Sequence, residues 1–151
     1  MTVKILPVDW LKEILNSDEI REEKLRAICE ALYHNVAYYD WVGFYIADNE
    51  KRVLTLGPFV GAPTEHVRIP YGRGICGQAA ESLDTIVVTN VAEESNYLAC
   101  SVDVCSEIVV PVFRDGVFVA ELDIDSHKSN PFTVSDKETL ESVCRQAATL
   151  F

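Results

Sequence analysis

Apolar residues return along this chain at two periods. Near the N-terminus, Trp10, Leu11, Ile14 and Leu15 fall on one side of a short helix over Val8–Asn16. Ser17-Asp18 reads as the start of a second helix, in which Leu25, Ile28, Cys29, Leu32 and Val36 keep the three-and-four spacing of a core stripe. Cys29 on that stripe is a small buried hydrophobe, and His34 lies off it, toward solvent. From Trp41 the period changes to two. Trp41–Ala47 reads as a strand, Asp48–Lys51 as a turn and Arg52–Leu56 as the returning strand. Gly57–Pro63 is a loop, Val67–Ile69 a short strand, Ile75–Ser82 a short helix and Thr85–Val88 a strand. Ile108–Phe113 and Val117–Ile124 flank Asp115-Gly116, a two-residue hairpin signal. Ser129–Phe132 is a turn around Pro131, and Ser135-Asp-Lys-Glu138 has the form of a capping box. It opens a helix whose stripe is Leu140, Val143, Cys144 and Ala147.

This order predicts an α+β fold, an antiparallel sheet of five or six strands with the long terminal helices gathered on one face. No repeat, low-complexity tract or linker interrupts the 151 residues, so one domain is expected over 1–151. No apolar run approaches the ~20 residues of a membrane span. The N-terminus lacks the apolar core of a signal peptide, which points to the cytoplasm. A net charge of −11 argues against nucleic acid or an anionic membrane as partner. Five cysteines, an odd count, argue against a disulfide framework. The spacing of Cys100 and Cys105 has no matching second pair for zinc. With only His34, His66 and His127 available, a hydrolase metal centre on Asp123 and Asp125 is not expected either.

Candidate chemistry concentrates on one side of the sheet. Period two puts Trp41, Gly43 and Tyr45 on the face opposite Val42, Phe44 and Ile46. The second set is core; the first is either a second packed face or the aromatic wall of a pocket. On the later strand Glu121, Asp123 and Asp125 share a face, opposite Leu122 and Ile124. Carboxylates so placed repel unless solvated at a sheet edge or holding a cation. Between these elements runs Pro70-Tyr-Gly-Arg-Gly-Ile-Cys-Gly77. Amides at the helix start near Ile75 and Cys76 can hold a carboxylate or phosphate, and the dipole there favours a Cys76 thiolate. Without the Lys-Ser/Thr of a P-loop or a βαβ unit, nucleotide binding is rejected. Asn96–Pro111 carries Cys100, Cys105 and Glu107 on a polar loop that feeds a strand. That is a redox or nucleophilic site, or a surface loop with incidental cysteines. A plain hairpin at Asp115-Gly116 pairs Glu107 with Ile124, on the wrong face to join Asp123. Glu107 reaches that site only with a bulge near Pro111, or by lying before the regular pairing begins.

Taken together, Trp41-Val-Gly-Phe-Tyr45, Gly57-Pro-Phe, Arg68-Ile-Pro-Tyr-Gly-Arg-Gly-Ile-Cys-Gly77, Ala99-Cys100, Ser106-Glu-Ile-Val and Leu122-Asp-Ile-Asp-Ser126 resemble the free methionine-(R)-sulfoxide reductases. These are single GAF-domain enzymes with no bound cofactor. The match runs from about Trp41 to Ser126, its motifs in order. The resemblance implies a lidded pocket enclosing free methionine sulfoxide, a homodimer, and recycling by thioredoxin. It implies that Cys100 attacks the sulfoxide, leaving a sulfenic acid and then a disulfide. Cys76 matches a second family cysteine, Glu107, Asp123 and Asp125 the pocket carboxylates, and Trp41 and Tyr45 the aromatic wall. Two positions depart from the family: His66 replaces a cysteine that many members carry, and Ser101 replaces the common Asp. The chain thus resembles a two-cysteine variant. The resolving thiol can be Cys76, Cys105 or an external reductant, and Cys76 is favoured. The competing reading is a non-catalytic GAF sensor or thiol redox switch.

Overall fold

The computed structural model describes residues 9–97 and 103–151. Along the chain come α1 (Trp10–Leu15), α2 (Arg21–Asn35), β1 (Trp41–Asp48), β2 (Val53–Val60), β3 (Arg68–Pro70), α3 (Gly74–Ser82), β4 (Ile86–Val88), β5 (Ser106–Arg114), β6 (Val117–Ser126) and α4 (Val134–Ala147). The strands form one antiparallel sheet in the order β3-β2-β1-β6-β5-β4. Val42 and Phe44 of β1, Ile108, Val110 and Val112 of β5, and Leu122 and Ile124 of β6 bury one face against α1, α2 and α4. The expected stripe of α2 is on that layer, with Leu25, Ile28, Cys29, Leu32 and Val36 all buried. Cys144 of α4 joins them, as its periodicity required. The other face carries a smaller core under α3, built on Tyr45, Leu54, Ile69, Ala79, Val88 and Val109. This is the α+β architecture expected, with six strands.

Three local expectations are corrected. Helix α2 begins at Arg21, with Ile20 as N-cap and no side-chain cap. The Ser17 hydroxyl instead donates to the Ile14 carbonyl, closing α1 rather than opening α2. Gly57–Pro63 is not a loop throughout, because β2 continues to Val60. Gly43 opposes Phe59 and Tyr45 opposes Leu56, so Phe44 faces both Gly57 and Pro58. That bulge is where a proline fits a sheet, since no ladder amide is required of it. The capping box is Thr133 with Asp136, two residues earlier than read. Both pairs fit the pattern, and a tertiary contact chooses between them. The Asp136 carboxylate accepts from the Tyr38 hydroxyl at 2.7 Å, the Tyr39 hydroxyl at 2.6 Å, and the Thr133 amide and hydroxyl at 2.7 and 2.8 Å.

The hairpin between β5 and β6 sets the face of every candidate carboxylate. Asp115 and Gly116 have φ of 53° and 79°, the left-handed pair that a tight hairpin turn demands. Phe113 pairs with Phe118, but Val112 pairs with Ala120, leaving Val119 as an extra residue. Past this bulge Glu107 opposes Asp125 and Val109 opposes Asp123. The one-residue shift moves Glu107 from the helix side to the pocket side. The bulge alternative is therefore the one realised, close to Pro111.

Asp136 ties α4 to the segment entering β1, and its loss strands two buried phenols. Asp136→Ala is expected to cost about 2–4 kcal/mol, seen as a lower urea midpoint at unchanged m-value. A change within about 0.5 kcal/mol would mean that solvent replaces the carboxylate at no cost.

Candidate functional site

The site is a meeting of β1, β5 and β6 on the sheet face away from the long helices. Register alone aligns its floor. Trp41 opposes Asp125, Gly43 opposes Asp123 and Tyr45 opposes Glu121. Across the other edge of β6, Glu107 opposes Asp125. Side chains directly opposite share a face, so four carboxylates lie beside an aromatic wall. All four are buried: Glu107 is 3% exposed, Asp123 1%, and Glu121 and Asp125 0%. A solvated sheet edge is thereby ruled out; β6 is interior to the sheet, between β1 and β5.

Gly43 is required by this wall. A Cβ there would stand 2.5 Å from Cη2 of Trp41 and 2.8 Å from Cβ of Phe59. The missing side chain lets the indole lie flat on the strand. Trp41 stacks on Phe59 at 5.4 Å and on Tyr45 at 6.5 Å between ring centroids, and its Nε1 donates to the Ala62 carbonyl. The Tyr45 hydroxyl donates to the His66 carbonyl at 2.9 Å. Phe59 is the third aromatic of the wall. Reading Gly57–Pro63 as a loop hid it; the Pro58 bulge brings it onto the face.

Helix α3 faces this floor. Gly74 and Gly72 adopt φ of 65° and 90°, and the tight turn lets the helix start approach the sheet. Asn96 fastens the end of the described segment to that turn: its Oδ1 accepts from the Gly74 amide and its Nδ2 donates to the Gly72 carbonyl. The amides of Ile75 and Cys76 belong to the first turn, where no intrahelical acceptor exists. A cavity of about 10 Å³, roughly one water in size, is bounded by Tyr45, His66 and Ile69, by Arg73–Cys76, and by Glu107 and Asp123. Of the residues singled out in the sequence, the cavity unites Tyr45, Ile75, Cys76, Glu107 and Asp123. Trp41 and Asp125 share the face but stand outside the cavity lining. Cys100 lies outside the described residues, as does Ser101. Cys105 is half-buried and its thiol points to the Asp103 carbonyl at 3.7 Å. Arg73, His66 and Glu121 were not singled out for the site. Arg73 is the arginine lining a cavity otherwise rich in carboxylate, in a chain of strongly negative charge. That contrast was readable from the sequence; the seat of His66 was not.

Electrostatics overturn one expectation. The Cys76 thiol is pushed well above its usual range by burial, then by the negative charges of Asp123, Glu121 and Glu107. A helix start favours a thiolate by ~1 kcal/mol or less; burial among carboxylates outweighs it, so Cys76 rests as a thiol. Its Sγ lies 3.9 Å from Oε2 of Glu107. Burial likewise holds Glu121 well above the usual carboxylate range, with the Asp123 charge adding to it and Cys76 opposing. Asp123 is raised by burial, partly offset by Glu107 and Cys76. Both shifts favour the protonated form, which is the direction a general acid needs. Cys29 and Cys144 are raised by burial in the main core and take no part. Cys76, Glu107 and Asp123 bring donor atoms within 4.8 Å of one another. Local spacing had offered no metal site; this trio comes from three separate segments.

Comparison with known proteins gives a consistent picture. A GAF domain profile matches residues 21–151. Protein YtsP of Bacillus subtilis is 39% identical over 142 residues, covering 89% of this chain and 86% of that protein. The free methionine-R-sulfoxide reductase of Saccharomyces cerevisiae is 37% identical over 140 residues, covering 91% of this chain and 73% of that protein. The X-ray structure of free methionine-R-sulfoxide reductase from Neisseria meningitidis, in complex with its substrate, aligns with a TM-score of 0.86 at 33% identity, over 93% of this chain and 83% of that one.

Glu121 gives a pH signature. Its folded pKa exceeds its unfolded value, so its contribution to stability is full below the ordinary carboxylate pKa and is lost as pH rises toward the folded value. Over that window the group alone removes roughly 1 kcal/mol per pH unit. Glu121→Gln is expected to flatten the dependence and to exceed the wild type in stability at pH 8, measured by urea unfolding from pH 5 to 8. An unchanged slope would show that Glu121 is ionised in the folded protein.

Proposed function

We propose, from the premise that this chain belongs to the GAF-domain family of free methionine-(R)-sulfoxide reductases, that it reduces the free amino acid L-methionine-(R)-sulfoxide in the pocket between α3 and the sheet. The observation that carries this is the convergence on one cavity of the motif residues Tyr45, Cys76, Glu107 and Asp123, drawn from four segments. A floor of carboxylates suits a substrate ammonium. The amides of Ile75 and Cys76, with Arg73, suit its carboxylate. Trp41, Tyr45 and Phe59 suit the S-methyl end. A residue within a peptide lacks both charged groups, and this selects the free amino acid. The cavity has room for about one water, so substrate enters only as the cover moves outward.

In the proposed reaction the Cys100 thiolate attacks the sulfoxide sulfur. A protonated carboxyl of the Asp123 cluster gives its proton to the sulfoxide oxygen. The oxygen passes to Cys100 as a sulfenic acid, and methionine leaves. The Cys76 thiol then condenses with the sulfenic acid, releasing water and forming a Cys76–Cys100 disulfide. Because Cys76 rests protonated, a cluster carboxylate takes its proton and passes it to the departing sulfenic oxygen, which leaves as water. A thioredoxin dithiol reduces the disulfide, restoring both thiols. Thioredoxin as reductant, a homodimer and a cytoplasmic setting complete the proposal. Among the described residues no helix is long and apolar enough to cross a membrane.

The test is NADPH consumption in the presence of thioredoxin and its reductase. Free methionine-(R)-sulfoxide should drive turnover; the S epimer and an N-acetylated, C-amidated substrate should not. Cys100→Ser should abolish it, and Asp123→Asn or Asp125→Asn should lower kcat/KM by ~10²–10⁴. No consumption above background would sink the reading in favour of a non-catalytic sensor. A Cys100–Cys105 bridge after one turnover, found by peptide mapping, would remove Cys76 from resolution.

A further inference from the structure

We propose that Cys76, Glu107 and Asp123 form a binding site for a borderline-soft divalent cation, with Zn²⁺ the ion that fits best. Their donor atoms lie within 4.8 Å of one another and all three residues are buried. The Cys76 sulfur and the Glu107 oxygen are already 3.9 Å apart. Donors around one tetrahedral Zn²⁺, with bonds of ~2.0–2.3 Å, stand about 3.5 Å from each other. Two independent features point to an ion. The cavity these residues bound is about 10 Å³, the size of a single water or a bare cation. Among the described residues, both oxygens of Asp123, 1% exposed, lack a hydrogen bond of good geometry, although Cys76 and Glu107 lie close enough to interact.

The donor set decides which ion. A sulfur with two carboxylates suits Zn²⁺, whereas Mg²⁺ and Ca²⁺ require six or more oxygens, several of them water. Three protein ligands leave the fourth tetrahedral position open. On binding, the Cys76 thiol and any protonated carboxyl among the ligands release their protons to solvent and their lone pairs go to the metal; no group changes oxidation state. The cation's charge would offset the negative charge that Glu107, Asp123 and a thiolate bring together in one buried place. One consequence rests on the reductase reading: Zn²⁺ and the substrate ammonium would claim the same carboxylates, so bound metal would hold the enzyme off. The binding itself does not rest on that reading.

Co²⁺ is the probe, added to the reduced full-length protein without substrate. The expected result is one equivalent bound, with a thiolate-to-cobalt charge-transfer band that Zn²⁺ bleaches. Cys76→Ser should abolish the band, while Cys100→Ser and Cys105→Ser retain it. Glu107→Gln and Asp123→Asn should weaken binding by more than about tenfold. Should Cys76→Ser fail to fold, a rise in wild-type melting temperature with Zn²⁺, lost in Glu107→Gln, carries the same test. Absence of a charge-transfer band, a band that survives Cys76→Ser, or a Zn²⁺ shift unchanged in Glu107→Gln would overturn the proposal. No turnover enters this titration, so its failure leaves the reductase reading intact. Inactivity toward methionine sulfoxide likewise leaves the metal site intact.

Discussion

Burial of four carboxylates on one face of β5 and β6 is the constraint to which the rest of this molecule answers. Fully ionised in a low-dielectric pocket, Glu107, Glu121, Asp123 and Asp125 would repel one another and lose their hydration. Burial raises the pKa of Glu121 and of Asp123, which eases that repulsion by favouring their neutral forms. The same condition governs Cys76. A thiol at a helix start is ordinarily activated; set among these carboxylates it is quenched. Raised carboxyl pKa values and thiol quenching are thus two results of one arrangement, and a cationic ligand is what relieves both.

Such a face is costly, and the rest of the fold is built to hold it. The main core lies on the opposite side of the sheet, where α1, α2 and α4 bury an uninterrupted apolar layer. Cys29 and Cys144 are buried in that layer, away from the reactive face. Asp136 fastens α4 to Tyr38 and Tyr39, so the strand carrying Trp41 and Tyr45 is anchored just ahead of its first residue. Asn96 performs a similar task on the other side, tying the chain ahead of Cys100 to the glycine turn of α3. Hydrogen-bonded polar contacts at the margins thus position a buried carboxylate cluster at the centre.

The division between what sequence and structure each decided is visible at particular residues. Periodicity located α2, β1, β6 and α4, put Cys29 and Cys144 in the core, and placed Trp41 and Tyr45 opposite Val42 and Phe44. These follow from the chain's own repeat, because burial of one face is enforced along a whole helix or strand. The motif set from Trp41 to Ser126 was also legible, and with it the family. Asp115-Gly116 announced its turn through backbone conformations that few other residues adopt.

What the chain alone left open depended on neighbours remote in sequence. Glu107 joined Asp123 only because Val119 bulges, a one-residue event that reverses which face a strand presents. Phe59 reached the aromatic wall through the bulge at Gly57-Pro58. Two overlapping capping patterns were equally good locally, and the phenols of Tyr38 and Tyr39 selected Thr133 with Asp136. Whether Glu121, Asp123 and Asp125 were solvated or buried turned on β6 lying between β1 and β5. The protonation of Cys76 turned on that burial in turn. Local sequence sets the period and the turns; register, burial and charge state belong to the assembled sheet, because each is an interaction between segments that only folding brings together.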